Sequence, residues 1–413
     1  MIQEKKSKSF LKTRLYALYW ISSLLSNIGT WMQQVAEPWV VLSLSNSPFW
    51  VGLDSFAMNA PSLIFTLFGG ILADRFDRKK IVLLFQSIQW LCILIMLTLL
   101  ILGWLKVWMI VIISFLIGLT DSLSMPSFQT IIPSIVDEKE IPKALSLNST
   151  QFNLSRILGP AIAGVVIAKY GVVACFSANA ISYLPFFLSL YFIYPRKIKI
   201  ENAAKALPTK PLEHFKEFKQ VLQNSKIRLP LFTSFINGLF CAPLITFCSV
   251  LVKNNFHAQV GSFGGAMAAF GMGGLLGATS SFIPLPKSFT RNKFSNTVAI
   301  FLGMIVIAIA FNRSLLLLYI LLVIAGAMLT TSNIGVNTFL QQNANNSIRG
   351  RIVSLYQLAL AGGISMGALL TGFTVSQFSI ETAFLINGSM AVALQSFVLW
   401  FQFKIPTEQI KQE

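Results

Sequence analysis

Residues 69–80 read Gly69-Gly70-Ile71-Leu72-Ala73-Asp74-Arg75-Phe76-Asp77-Arg78-Lys79-Lys80. An apolar segment leads into them from about Trp50, and a second leaves them from Ile81 to Leu102. Each is about 20 residues long, enough for a helix to span the hydrocarbon core of a bilayer. Two acids and four bases between such helices form a charged connector at a membrane face, where basic residues set the topology.

Segments of the same kind recur along the 413 residues. Twelve helices are predicted, at about 15–44, 49–72, 81–102, 107–128, 142–169, 173–194, 227–253, 259–284, 294–312, 314–341, 350–377 and 381–403. The chain is 54% apolar and 11% charged, too little charge to cover a soluble protein of this size. Nothing alternates with period two in segments of about ten residues, so the pattern is not that of a transmembrane barrel. The expected fold class is an all-α polytopic membrane protein.

The net charge of +17 is explained by its distribution. The connections after odd-numbered helices hold Lys106, Lys169, Lys253 and Arg313, and Arg156 lies inside a helix. All other bases fall at the N-terminus, in the connections after even-numbered helices, or at the C-terminus. By the positive-inside rule both termini are expected in the cytoplasm, and no nucleic-acid partner is needed to account for the bases. The basic stretch Lys5 to Arg14 precedes a long apolar helix with no small-residue cleavage site at its end, so that helix is expected to be retained.

Cys92, Cys175, Cys241 and Cys248 sit in apolar segments without metal-binding spacing, and His214 and His257 are isolated in connections. No metal and no cofactor are expected. No Gly-x-x-x-x-Gly-Lys-Ser/Thr stretch is present, so ATP is not the expected direct energy source.

The longest connection follows the sixth helix. It contains Pro208 and Pro211, and nine Lys or Arg lie from Arg196 to Arg228. It divides the chain into an N-terminal six-helix bundle (1–194), a cytoplasmic linker (195–226) and a C-terminal six-helix bundle (227–413). At an offset of 208, Gly69 meets Gly277, Gly118 meets Gly326, Ser146 meets Ser354, Gly159 meets Gly367, Gly164 meets Gly372 and Asn179 meets Asn387. This register points to two parallel six-helix repeats, an arrangement found in transporters.

Polar side chains in hydrocarbon are costly and face a cavity or another helix. The first helix carries Asn27, Thr30, Trp31, Gln34 and Glu37 within an arc of about 120° at 100° per residue. The fifth carries Ser149, Asn153, Arg156 and Pro160, the seventh Asn237 and Cys241, and the tenth Thr330, Asn333, Asn337 and Gln341. Such stripes suit a water-accessible path. Asn27, Trp31, Gln34, Asn153, Asn237, Asn333 and Asn337 are the candidate substrate-binding residues, with Trp31 supplying a stacking face and the amides donors and acceptors.

Arg156 falls near mid-membrane and should need a carboxylate or a ring of carbonyls. Glu37 and Asp121 are candidate partners, with Asp54 near the outer end of the second helix. An acid that alternates between an apolar environment and a neighbouring cation loads and unloads a proton. Glu37, Asp121, Arg156 and Asp54 are therefore the proton-coupling candidates, with a static ion pair as the alternative. Glycines stud the eighth helix (Gly264, Gly265, Gly271, Gly273, Gly274, Gly277) and the eleventh (Gly362, Gly363, Gly367, Gly372), which fits close helix packing and sliding contacts.

The loop 69–80 resembles the Gly-x-x-x-Asp-Arg-x-x-Arg-Lys connector between the second and third helices of the major facilitator superfamily, with Asp77 where Gly is usual. Gly29-Thr30-Trp31-Met32-Gln33 with Pro38-Trp39-Val40-Val41, Ala144 to Asn153, and Arg156 to Gly164 resemble the enterobactin-exporter-like and macrolide-efflux-like branch. The stretch Arg156 to Gly164 also resembles the end of the helix-five antiporter motif of exporters. The resemblance covers the full chain. It implies two pseudo-symmetric six-helix bundles and secondary active export of a small amphipathic molecule, a siderophore or a drug-like compound, driven by protons.

The expected setting is the cytoplasmic (inner) membrane of a bacterium, as a multi-pass, non-enzymatic monomer in contact with lipid. A proton-coupled importer and a non-transporting receptor or scaffold are the alternatives. Within this frame the loop becomes a candidate conformational latch. Asp74 would accept from amides at a helix N-terminus or pair with Arg351, while Gly70, Arg75, Arg78 and Lys79 shape the loop and, with Lys80, meet anionic lipid.

Overall fold

A computed structural model describes residues 2–137, 140–192, 225–279, 291–343 and 349–404. The first six helices are α1 (Ile2–Ser45), α2 (Pro48–Arg75), α3 (Arg78–Ile101), α4 (Val107–Ile135), α5 (Ile141–Tyr170) and α6 (Val172–Phe192). A seventh helical path, α7, runs from Ser225 to Asn255 in pieces. Then follow α8 (Val260–Thr279), α9 (Arg291–Phe311), α10 (Leu315–Gln342), α11 (Arg349–Gln377) and α12 (Ile380–Lys404). The expected linker lies outside the described residues over 195–224.

The helix ends follow from local chemistry. Pro48 opens α2, where its missing N–H leaves nothing unsatisfied. The preceding turn passes through Asn46 at φ 51°, a left-handed conformation that Asn tolerates. Asp77 caps α3, its Oδ1 accepting from the Lys80 amide at 3.0 Å. Asp77 therefore starts the next helix. Gly171 ends α5 at φ 77°. In α7 the regular ladder gives way to π turns at Asn237–Cys241 and Leu251–Asn255, on either side of Pro243. Proline has no N–H to donate, which favours such a shift.

Ten of the described helical segments, all but α1 and α2, are long and apolar enough to cross a membrane. Their outward faces are apolar: Ile181, Leu184 and Leu188 form an exposed strip down one side of α6, the pattern of a lipid-facing helix surface.

The chain separates into two compact units, Met1–Lys199 with Cys248–Gly271, and Ile200–Phe247 with Met272–Glu413. The end of α7 and the first part of α8 thus pack with the N-terminal helices. In the first unit Tyr19, Val82, Ile131, Ile132, Phe186 and Leu190 form a core shared by α1, α3, α4 and α6. In the second, Ile227, Leu231, Val336, Leu340, Ile352 and Tyr356 join α7, α10 and α11.

Close backbone approach repeats in both units. A Cβ on Gly69 of α2 would stand 2.7 Å from the Leu123 carbonyl oxygen of α4. Its repeat partner Gly277 of α8 lies against the Ala327 carbonyl of α10. Thr331 of α10 also donates to the Gly277 carbonyl at 3.2 Å. In the first unit Gly164 of α5 and Gly264 of α8 press backbone against backbone, which accounts for glycine at these points as close packing.

Candidate functional site

The polar stripe of α1 divides into two parts. Asn27, Trp31 and Gln34 are half-buried. Thr30 and Glu37 turn away from them by about 60–80° on the same helix and bond into the bundle, joined by Gln33. Glu37 is 4% exposed and accepts at both carboxylate oxygens. Ser114 Oγ of α4 donates to Oε1 at 2.7 Å, and Gln33 Nε2 donates to Oε2 at 3.3 Å. Asn179 Nδ2 of α6 donates to Gln33 Oε1 at 2.8 Å, and the Thr30 hydroxyl lies 3.5 Å from Asn179 Oδ1. Read from Asn179, each amide donor points toward Glu37.

The carboxyl of Asp54 of α2 lies against the Glu37 carboxyl and the Ser114 hydroxyl. It is 5% exposed, and its Oδ1 has no hydrogen-bond partner. Among the described residues no Lys, Arg or His pairs with either acid. Two negative charges so placed in a low-dielectric interior repel strongly, and a proton held between them removes the conflict.

Arg156, the sixteenth of the 30 residues of α5, is half-buried. It makes no ion pair with Glu37 or Asp121 in this structure: Glu37 is taken up by Ser114, Gln33 and Asp54. Phe152, Arg156 and Gly159 share one face of α5 by their i, i+4 and i+3 spacing. Trp31 docks on that face, its ring 6.4 Å from Phe152 in an edge-on arrangement and its Cβ over Gly159. Asn153 is half-buried beside it and donates to the Ser149 carbonyl at 2.8 Å. Asp121 stands near the middle of α4, exposed, two helical turns from Ser114.

In the second unit the expected substrate residues fall differently. Asn237 is fully buried. Its Nδ2 donates to Ser332 Oγ at 2.9 Å and Asn333 Oδ1 at 3.3 Å, and its Oδ1 accepts from Gln395 Nε2 at 3.1 Å. Gln395 also reaches the Thr233 carbonyl at 3.1 Å, and its Oε1 accepts from Asn296 Nδ2 at 2.6 Å. Asn237 and Asn333 therefore lie in an amide network that ties α7, α9, α10 and α12 together. Asn337 is half-buried and accepts from Gln341 at 2.9 Å.

Of the latch residues, Gly70 has open space where a Cβ would be, and Gly69 is the glycine in close contact. Arg75 is exposed, Arg78 half-buried, and Lys79 Nζ donates to the Tyr191 carbonyl at 3.3 Å. The side chains of Asp74 and Arg351 lie outside the described residues.

Sequence reasoning did not single out Ser114, Asn179, Asn296 or Gln395 as site residues. Asn179 had a signal in the repeat register, facing Asn387. Ser114 and Gln395 sit in mostly apolar runs and Asn296 in the polar first turns of its helix, and only packing shows what they meet.

Twelve helical paths among the described residues give an all-α membrane protein of the major facilitator fold. The chain superposes on the nucleoside transporter NupG with a TM-score of 0.70, covering 95% of this chain and 100% of that one at 14% identity. The D-xylose–proton symporter gives a TM-score of 0.69 over 98% and 100%, also at 14% identity. The profile of the transmembrane secretion effector family matches residues 7–413, and the chain belongs to that family within the major facilitator superfamily. It is similar to the staphyloferrin A transporter of Staphylococcus aureus, 25% identical over 93% of this chain and 95% of that protein. The enterobactin exporter EntS of Citrobacter koseri is 25% identical over 88% and 86%. The multidrug efflux pump Tap of Mycolicibacterium fortuitum is 24% identical over 88% and 90%.

Proposed function

We propose that this transporter exports a small amphipathic molecule, a siderophore or a drug-like compound, in exchange for protons, by alternating access in the bacterial cytoplasmic membrane. The observation that carries the reading is the buried pair of Glu37 and Asp54, held without a base among the described residues, one helical turn from the accessible face of α1. A proton taken up by the pair changes its charge, and the line Gln33–Asn179 transmits that change to α6. Trp31, with Asn27 and Gln34 flanking it and Asn153 on α5, forms the substrate face. Asn237 and Asn333 support the second unit from within. The named activities of the relatives, transport of staphyloferrin A, export of enterobactin and efflux of drugs, support the substrate class and the outward direction.

With both termini in the cytoplasm, the α1–α2 connection faces outside and the loop 69–80 faces the cytoplasm. The loop then serves as the latch, with Asp74 and Arg351 as the charged pair to test.

Inside-out membrane vesicles with an acid interior test the reading. Uptake of enterobactin, staphyloferrin A or ethidium should follow the pH gradient and stop with a protonophore. Flux indifferent to the gradient removes proton coupling.

A further inference from the structure

Among the described residues, Arg156, the mid-helix cation of α5, has no counter-charge. Arg156 is half-buried at the middle of a 30-residue helix, and among the described residues no carboxylate, hydroxyl or carbonyl bonds to it. An ionised group at that depth is expensive unless it meets water or an anion. Snorkelling to a headgroup does not explain it. At 1.5 Å per residue each end of α5 is more than about 20 Å away, beyond the reach of its side chain.

Nor does Arg156 sit on the lipid side. Of the exposed apolar residues of α5, Leu147, Ile162 and Val165 lie about 120–180° around the helix from it at about 100° per residue, while Leu145 and Tyr170, toward the two ends, fall on its side. Arg156 thus shares the opposite side with Asn153 and with the strip on which Trp31 rests.

The residues around it have a definite chemistry. Trp31 and Phe152 offer two aromatic surfaces at 6.4 Å, Asn27 and Gln34 offer amides one turn either side of Trp31, and Arg156 offers up to five N–H donors in a planar fork. Asp121, exposed on α4, makes no ion pair with it. The set is suited to a planar apolar body carrying a carboxylate or other oxyanion, which a guanidinium grips with two parallel hydrogen bonds.

We infer that Arg156 is the anion anchor of the substrate site and that the preferred substrate is an amphipathic organic anion whose apolar part stacks on Trp31. This assigns Arg156 to ligand recognition and leaves the proton to the Glu37–Asp54 pair. It rests on the proposed substrate face and not on the direction or energy source of transport.

Equilibrium binding to the purified full-length protein in detergent, with no gradient present, tests it separately from coupling. The probes are two xanthene dyes of similar shape, anionic fluorescein and cationic rhodamine 123, followed by fluorescence anisotropy at low and high salt. The wild type should bind the anion about tenfold more tightly than the cation, the size of one charge-assisted hydrogen-bonded contact, and added salt should shrink the difference. Arg156→Gln should abolish the preference, Arg156→Lys should retain part of it, and Trp31→Ala should weaken both dyes alike.

Circular dichroism and a monodisperse elution profile establish that each variant is folded. A preference for the cation, no saturable binding of the anion, or an unchanged preference in folded Arg156→Gln overturns the inference. Binding as expected, without proton-driven flux in vesicles, leaves the anchor standing and removes only the coupling.

Discussion

Ser114 of α4 donates to Glu37 of α1 at 2.7 Å across 77 residues of chain. The same hydroxyl stands beside the Asp54 carboxyl, so one small side chain bonds one acid and neighbours a second from another helix. Ser114→Ala strands Glu37 Oε1 in the interior. A loss of about 1–3 kcal/mol is expected for the unpaired group, read as a lower midpoint of thermal unfolding in detergent. Ser114→Thr, which keeps the hydroxyl, should recover most of it.

Glu37→Gln and Asp54→Asn preserve shape and remove the ionisable group. Each variant should insert and fold, because neutral isosteres relieve the repulsion between the acids. Each should lose the response of substrate flux to a pH gradient while substrate-driven exchange across the vesicle membrane persists. Gradient-driven flux at the wild-type rate in both variants would assign the proton elsewhere.

Gln395 bonds at once to Thr233, Asn237 and Asn296. Gln395→Leu leaves an Asn237 oxygen without its donor and an Asn296 amide short of an acceptor. Interhelical polar contacts in membranes contribute about 0.6 kcal/mol each on average and up to about 1.7, so a total loss of roughly 1–3 kcal/mol is expected. Thermal unfolding measures it. Dye binding at the first-unit face should be unchanged, since the network lies in the second unit.

Neighbouring glycines in the loop region separate packing from mere flexibility. Gly69→Ala places a methyl 2.7 Å from the Leu123 carbonyl oxygen and 2.8 Å from that of Ser122, and α2 must move off α4. Gly70→Ala meets nothing within 4 Å and replaces a poor helix former, a gain of about 0.5–1 kcal/mol. Yield and thermal midpoint should fall for the first variant and hold or rise for the second. Equal effects would refute the close contact.

The ion pair of Arg313 and Glu381 is 3.0 Å long, but the arginine side chain is 73% exposed. Exposed pairs contribute about 0–1 kcal/mol. Arg313→Ala should therefore leave the thermal midpoint nearly unchanged, a contrast with the buried changes above.

Much of the molecule was determined by the sequence alone. Length and continuity of the apolar runs demand spanning helices, since backbone polar groups have no water to bond in a bilayer. The register that matches Gly69 to Gly277 anticipates matching contacts of α2 with α4 and of α8 with α10, because only a residue without a side chain permits backbones so close. The polar stripe on α1 was legible as periodicity. Its division into Asn27, Trp31 and Gln34, which stay accessible, and Thr30 and Glu37, which bond into the bundle with Glu37 buried, was not, because a 120° arc is wide enough to meet two environments.

The tertiary structure alone decided the partners. Periodicity gives the face of a helix but not what stands opposite, so Asn237 looked like Asn27 until Gln395, Ser332 and Asn333 closed around it. For the same reason Glu37 was matched with Arg156 by charge, whereas the packing of α1, α2 and α4 brings it to Asp54 and Ser114 and leaves the arginine without a carboxylate among the described residues.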